Sequence, residues 1–239
     1  MQGMEILYEF VSPPSPCGYL PHRVWSLEYE MVGALTPAEY QQQLEAGWRR
    51  FGTMLFHPRC PSCSACQSLR VLVEDFRPNR SQQRTIKANI HDVELVIAAP
   101  SVSRRKLDLY DRYHAFQSLN KGWTEHAAKD AESFCSSFID NPIPTEEWCY
   151  YLEGELIGVG YVDVLPASMS AIYFFYEPEL RNRSLGTWNV LSLLAEARLR
   201  CLPHMYLGYF VADCPSLAYK ANFTPNEVLG TDSRWRRFR

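Results

Sequence analysis

The chain has 239 residues, 46% hydrophobic and 21% charged, and its 24 Lys and Arg against 27 Asp and Glu leave a net charge of −3. That apolar fraction excludes a mostly disordered chain, no long uncharged apolar run supports a membrane span, and the length suits one large domain or two small ones. Residues 1–10 lack the basic and apolar regions of a secretory signal, so a cytoplasmic protein is expected. The charge argues against indiscriminate nucleic-acid binding but leaves room for a local basic site.

In residues 1–76, Ser12-Pro13-Pro14-Ser15-Pro16 forms a stiff, extended approach to Cys17. Thr36, Pro37 and Glu39 stand as N-cap, N1 and N3 of a helix that continues through Tyr40, Leu44 and Trp48. A short strand over 54–56 delivers the chain to Cys60, Cys63 and Cys66, and Leu69 to Val73 reads as the next strand. In a reducing compartment such Cys spacing points to metal or redox chemistry rather than disulfides. Cys17 would complete a tetrahedral four-thiolate set for zinc or an iron–sulfur cluster, with His57 as a reserve ligand; the other reading is a loop of reduced thiols. Cys135, Cys149, Cys201 and Cys214 lie singly among apolar residues and are expected in the core.

Residues 77–106 read as a polar, cationic connector holding one strand, Val93 to Ile97. Residues 103–239 read as one domain: helices over 104–118 and 131–138, a hairpin of 148–152 and 156–163 about a Gly154 turn, a strand over 170–176, a helix over 185–200 and a strand over 204–210. The expected fold is α+β, with a small Cys-containing N-terminal α/β module over 1–98 and a second domain over 103–239. The order of elements in that second domain resembles an acyltransferase of the GNAT type. Its strand–loop–helix, Tyr173 to Thr187, carries Arg181 and Arg183 beside the free amides of a helix start. Such a loop can cradle a phosphate, although Ser184 stands where the GNAT coenzyme A pattern has its first glycine and Gly186 fits.

Several pieces together resemble one family. Pro16-Cys17-Gly18-Tyr19-Leu20-Pro21, Arg50-Phe51-Gly52 with the Cys run, and Arg80-Ser81-Gln82 are similar to the N-terminal part of aminoacyl-tRNA–protein transferases. Tyr173 to Pro178, Ser184 to Thr187, Leu207-Gly208-Tyr209 and Tyr219 to Pro225 are similar to their C-terminal part. The resemblance, to arginyl-tRNA–protein transferases and the short bacterial aspartate/glutamate leucyltransferases, covers nearly the whole chain. It implies a GNAT-like domain that moves an amino acid from charged tRNA to the α-amine of proteins with an acidic N-terminal residue, in the N-degron route to proteolysis. The compact length favours leucine as donor over arginine. Eukaryotic arginyltransferases arrange their N-terminal cysteines differently, so no metal assignment carries over. No cofactor is needed for the chemistry, and neither a membrane nor DNA is an expected partner.

Aminolysis of an aminoacyl ester needs a neutral amine, a proton acceptor and stabilisation of the oxyanion. Asp163, at a strand end, is the first candidate to hold or deprotonate the amine; Tyr176 could donate to the leaving ribose oxygen, with Glu177 in reserve. Arg80, Arg70 and Lys220 are candidates to pair with an acidic acceptor side chain. Arg77, Arg84 and Lys87 form one candidate tRNA patch; Arg181, Arg183, Ser184 and Gly186 form a second; the tail over 234–239 forms a third, its aromatics available for stacking. Two other readings remain open: an acetyl-CoA-dependent N-acetyltransferase and a zinc-containing RNA-binding adaptor.

Overall fold

The structure, a computed structural model, describes residues 3–121 and 127–239. The N-terminal part contains strand β1 (Glu5–Val11), the ribbon β2 (Ser15–Pro16) and β3 (Val24–Trp25), β4 (Leu27–Ala34), helix α1 (Pro37–Glu45), β5 (Arg49–Phe51) and β6 (Met54–Pro58). Helix α1 begins as its sequence predicts: the Glu39 amide donates to the Thr36 hydroxyl at 3.2 Å, and the Thr36 amide donates to the Glu39 carboxylate at 2.9 Å. An antiparallel four-stranded sheet runs β1-β4-β6-β5.

Gly52 closes the β5–β6 hairpin at φ +55, and a β-carbon there would collide with the Ser136 carbonyl. Gly52→Ala therefore adds left-handed strain of about 1–2 kcal/mol to a clash with backbone that has nowhere to go. Thermal melts should place this variant several degrees below the parent; an unchanged melting temperature would show that the hairpin does not hold its place against 131–138.

The chain continues as β7 (Gln67–Leu72), α2 (Arg80–Asn89), β8 (Val93–Ala98), α3 (Arg104–Lys121), α4 (Ala131–Phe138), β9 (Thr145–Leu152), β10 (Glu155–Leu165) and β11 (Ser168–Tyr176). A 3-10 turn over Pro178–Arg183 precedes α5 (Leu185–Leu199); β12 (His204–Phe210), α6 (Pro215–Ala218), a second 3-10 turn (Tyr219–Asn222), β13 (Asn226–Leu229) and β14 (Trp235–Arg237) complete it. An eight-stranded sheet of order β14-β13-β7-β12-β11-β10-β9-β8 makes this a mixed α/β protein built on one large sheet. Neighbouring strands are antiparallel except β11 and β12, which run parallel. Helix α5 and α2 contribute to one core with Leu69, Val71, Trp148 and Met205, while α3 and α4 cover a second with Val159, Tyr161 and Phe175.

Three expectations change. The polar connector contains a helix: α2 is capped by Asn79, with Gln82 closing the box, and its buried face is Gln82, Thr85 and Asn89. Those side chains hydrogen-bond across to neighbouring backbone, Gln82 donating to the Asn222 carbonyl at 3.1 Å and the Asn89 Nδ2 to the Arg183 carbonyl at 2.9 Å. A helix with a polar buried face shows no hydrophobic period, and so it read as a linker. The division at 98–103 also runs through the large sheet, because β7 and β8 lie in it with the strands of residues 145–237. Cys201 is exposed at φ +56 at the end of α5 and Cys135 is half-buried, whereas Cys149 and Cys214 are in the core as expected.

Candidate active site

Strands β11 and β12 pair over only three residues, Ser168–Ser170 against His204–Tyr206. Beyond that point a register shift and Gly208, at φ +83, turn β12 aside. Into the gap opens a cavity of about 1010 Å³. Its walls are Ser170 to Phe174 and Tyr176 of β11, Leu207 to Tyr209 of β12, the start of α5, Tyr113, His114 and Gln117 of α3, and, from the N-terminal part, Tyr40, Arg49 and Arg50. Lys220 closes one side. Among the described residues that line it there is no Asp or Glu, so the cavity is cationic.

The two adjacent arginines behave differently. Arg50 is saturated: its Nε donates to Asp163 Oδ2 at 3.0 Å and its Nη2 to Asp163 Oδ1 and, at 2.7 Å, to Thr145. Its Nη1 donates to the Gly52 carbonyl at 2.7 Å and to Asn141 at 2.8 Å. Arg49 is 5% exposed, has no carboxylate partner, and its Nε has no hydrogen-bond partner. Its guanidinium lies 5.2 Å from the Tyr206 ring centre and 5.7 Å from that of Tyr209, and burial pulls its pKa below the usual value. Lys220 donates to the Tyr209 carbonyl at 2.8 Å, and burial, with Arg49 nearby, brings its pKa down to about 7.

The expected site residues divide accordingly. Asp163 is 0% exposed and spends both oxygens on Arg50, with Thr145 donating to Oδ1 at 2.8 Å; it does not line the cavity. Burial pushes its carboxyl up against the opposing pull of Arg50. Its place is behind the wall, holding Arg50, and not at a substrate amine. Tyr176 does line the cavity, and burial raises its pKa, which keeps the hydroxyl as a donor. Glu177 is taken by Arg112 at 2.8 Å.

Of the proposed acceptor cations, Lys220 is in the cavity. Arg70 is neutralised by Glu227 at 2.7 Å and covered by Trp235, whose ring centre is 4.3 Å away; Arg80 is exposed on α2. Trp235 therefore packs as part of the fold, and its tail is ordered by β14 pairing with β13. Arg80, Arg84 and Lys87 follow helical spacing on the exposed surface of α2, with Arg77 exposed just before it. The helix packs beside the Pro178–Arg183 turn, where Arg183 bonds the Ala88 carbonyl at 2.9 Å and pairs with Asp92 at 2.8 Å. The two cationic patches, separate in sequence and including exposed Arg181, thus lie side by side. Ser184, at φ +53, and Gly186 border the cavity at an α5 start that no side chain caps.

Cys17, Cys60, Cys63 and Cys66 all border one small apolar cavity of about 30 Å³ beneath Tyr19 and Tyr209. Burial, then the neighbouring Cys60, Cys17 and Cys63, pushes the Cys66 thiol up to about 12. Among the described residues no group of three or more His, Cys, Asp or Glu is arranged to hold a metal ion. The donor chemistry of four thiols around one cavity suits zinc or a cluster. Nor is any described helix long and apolar enough to cross a membrane.

Sequence reasoning gave Arg49 no role in the site. The absence of any matching acid nearby in space is visible only in three dimensions.

Two family profiles match the chain: "Arginine-tRNA-protein transferase, N terminus" over residues 15–84 and "Arginine-tRNA-protein transferase, C terminus" over 105–230. A protein named aspartate/glutamate leucyltransferase from Helicobacter hepaticus is 35% identical over 224 residues, covering 93% of this chain and 92% of its own. One of the same name from Marinobacter nauticus is 36% identical over 239 residues, covering 99% and 98%. Among solved structures, L-PGS from Bacillus licheniformis overlays with a TM-score of 0.47 at 10% identity, over 81% of this chain and 70% of that one. With both profiles matched in order and relatives aligned end to end, the chain belongs to the arginine-tRNA-protein transferase family, and is an aminoacyltransferase.

Proposed function

We propose that this protein, in the cytoplasm, transfers leucine from its tRNA to the α-amine of proteins that begin with Asp or Glu, a step that commits them to N-degron proteolysis; arginine is the second choice of donor. The observation that carries the reading is the carboxylate-free, cationic cavity where β11 and β12 part, in a chain whose relatives are named aspartate/glutamate leucyltransferase. Parted parallel strands over a helix start also fit a GNAT-like acyltransferase domain.

The reaction follows from the lining. The acceptor amine attacks the ester carbonyl, a C–N bond forms and the bond to the ribose oxygen breaks. Lys220, with its pKa near 7, is neutral often enough at physiological pH to take the amine's proton. Tyr176 offers its hydroxyl to the departing ribose oxygen. The uncapped amides at the start of α5, beside Ser184 and Gly186, suit the last phosphate of the tRNA. Arg77, Arg80, Arg84, Lys87, Arg181 and Arg183 lie on the outer face, where an acceptor stem would lie. No step runs through a metal at Cys17, Cys60, Cys63 and Cys66; a zinc ion or cluster there would brace the N-terminal part.

The test is direct. Purified protein is incubated with tRNA charged with labelled leucine or arginine and with peptides beginning Asp, Glu, Lys or Ala. Label from leucyl-tRNA on the Asp and Glu peptides is expected. Transfer from neither tRNA, with transfer from acetyl-CoA instead, would replace this reading by the N-acetyltransferase.

A further inference from the structure

The cavity's two arginines differ in their partners. Arg50 has Asp163, Thr145, Asn141 and the Gly52 carbonyl. Arg49, next to it in β5, makes only long contacts to backbone carbonyls: Nη1 to Trp48 at 3.4 Å and Nη2 to Gly208 at 3.5 Å. Its Nε is buried with no partner at all. Burying a guanidinium without a counter-ion costs several kcal/mol, and two tyrosine faces offset only part of it. The arrangement is that of a site awaiting an anion.

We infer that Arg49 receives the side-chain carboxylate of the acceptor's N-terminal Asp or Glu, while Lys220 faces the same residue's α-amine. The inference deepens the proposed transfer and rests on it. The geometry supports this pairing because the two cations flank Gly208: Arg49 Nη2 reaches its carbonyl, and Lys220 Nζ lies 3.3 Å from where its β-carbon would be. In an N-terminal Asp or Glu the amine and the carboxylate are a few bonds apart, so one residue can span both groups. A fork of N–H donors fits a carboxylate in two bonds, whereas a side-chain amide would turn its own NH2 against the guanidinium. A polynucleotide phosphate is the less suitable occupant, since Arg49 is 5% exposed while the α2 cations stand on the surface. A bound carboxylate would also offset the charge by which Arg49 helps hold Lys220 down, making Lys220 a stronger base when the correct acceptor is present.

The experiment compares wild type, Arg49→Met and Arg49→Lys on peptides beginning Asp, Glu, Asn and Gln, with charged-tRNA affinity measured separately and folding checked by circular dichroism. Arg49→Met should lose about a hundredfold in kcat/KM on Asp and Glu peptides, chiefly through KM, and far less on Asn and Gln, where only the tighter hold of Lys220 on its proton is felt, with the tRNA affinity unchanged. Arg49→Lys keeps a charge in a similar volume but loses the fork. Its expected loss is about tenfold on acidic acceptors and none on amides, and it decides the matter alone if Arg49→Met fails to fold. Either variant retaining the full wild-type rate on acidic peptides overturns the inference. So does an equal loss on all four peptides together with weakened tRNA binding, which would make Arg49 a phosphate contact. A wild-type protein inactive toward every acceptor defeats the transfer reading itself, a result distinct from any of these.

Discussion

Lys220→Met should lower kcat by about a hundredfold to a thousandfold, the usual worth of a positioned general base. In the wild type, the rate should rise with pH through about 7 as Lys220 loses its proton, and in the variant only the limb of the acceptor's own α-amine, at about 8, should remain. The groups facing Lys220 are Arg49 from β5, the Tyr209 carbonyl from β12, and the Cys66 and Cys214 thiols; burial acts first, Arg49 adds to it, and the cysteines oppose it. Stability should shift in the same sense. Because the folded value lies below the ordinary 10.5, the unfolded chain binds the proton first, and wild-type stability falls as pH drops from about 10 toward about 7. Lys220→Met, free of that cost, should gain on the wild type over this range. A variant with near-normal kcat and an intact pH limb would remove Lys220 from the proton path and leave it as packing beside Gly208.

Asp163→Asn should unfold easily while leaving the pH limb near 7 in place. The substitution strands Arg50 as a buried cation one residue from another, and breaking a buried pair of this kind costs about 3–5 kcal/mol. For a chain of this length that is roughly a 10 °C fall in Tm. The double variant Arg50→Met/Asp163→Leu, which removes both charges, should recover a substantial part of the loss. That cycle separates support from catalysis: a stable Asp163→Asn with kcat down a thousandfold would return Asp163 to the chemistry, against its enclosed position.

The contrast between Asp163 and Arg49 shows what was legible in the residues. A carboxylate at the end of an apolar strand invites a catalytic reading, because sequence does not reveal that Arg50, more than a hundred residues earlier, occupies both of its oxygens. Arg49 and Arg50 look equivalent as a dipeptide, yet their opposite directions on β5 give one a full set of partners and the other a cavity. Lys220 and Tyr176 were singled out from the sequence, Tyr176 at the end of a strand and Lys220 as a cation for an acidic acceptor, and both line the cavity. Helix α2 was hidden for a different reason: its buried face hydrogen-bonds to the 222 and 183 carbonyls instead of packing apolar side chains.

The residues themselves determined the α1 cap, the hairpin about Gly154, the strand–loop–helix before α5, the run of three cysteines and, through the joint order of motifs, the family. These are local matters, settled by side chains within a few positions of one another or by their order along the chain. The joining of β7 and β8 to the C-terminal strands, the merging of two cationic patches into one face, and the choice of which cations are satisfied and which are left open were decided only by the tertiary structure. The reason is electrostatic as much as geometric: whether a charge is structural or functional depends on whether a counter-charge reaches it after burial, and burial brings together residues that the sequence keeps far apart.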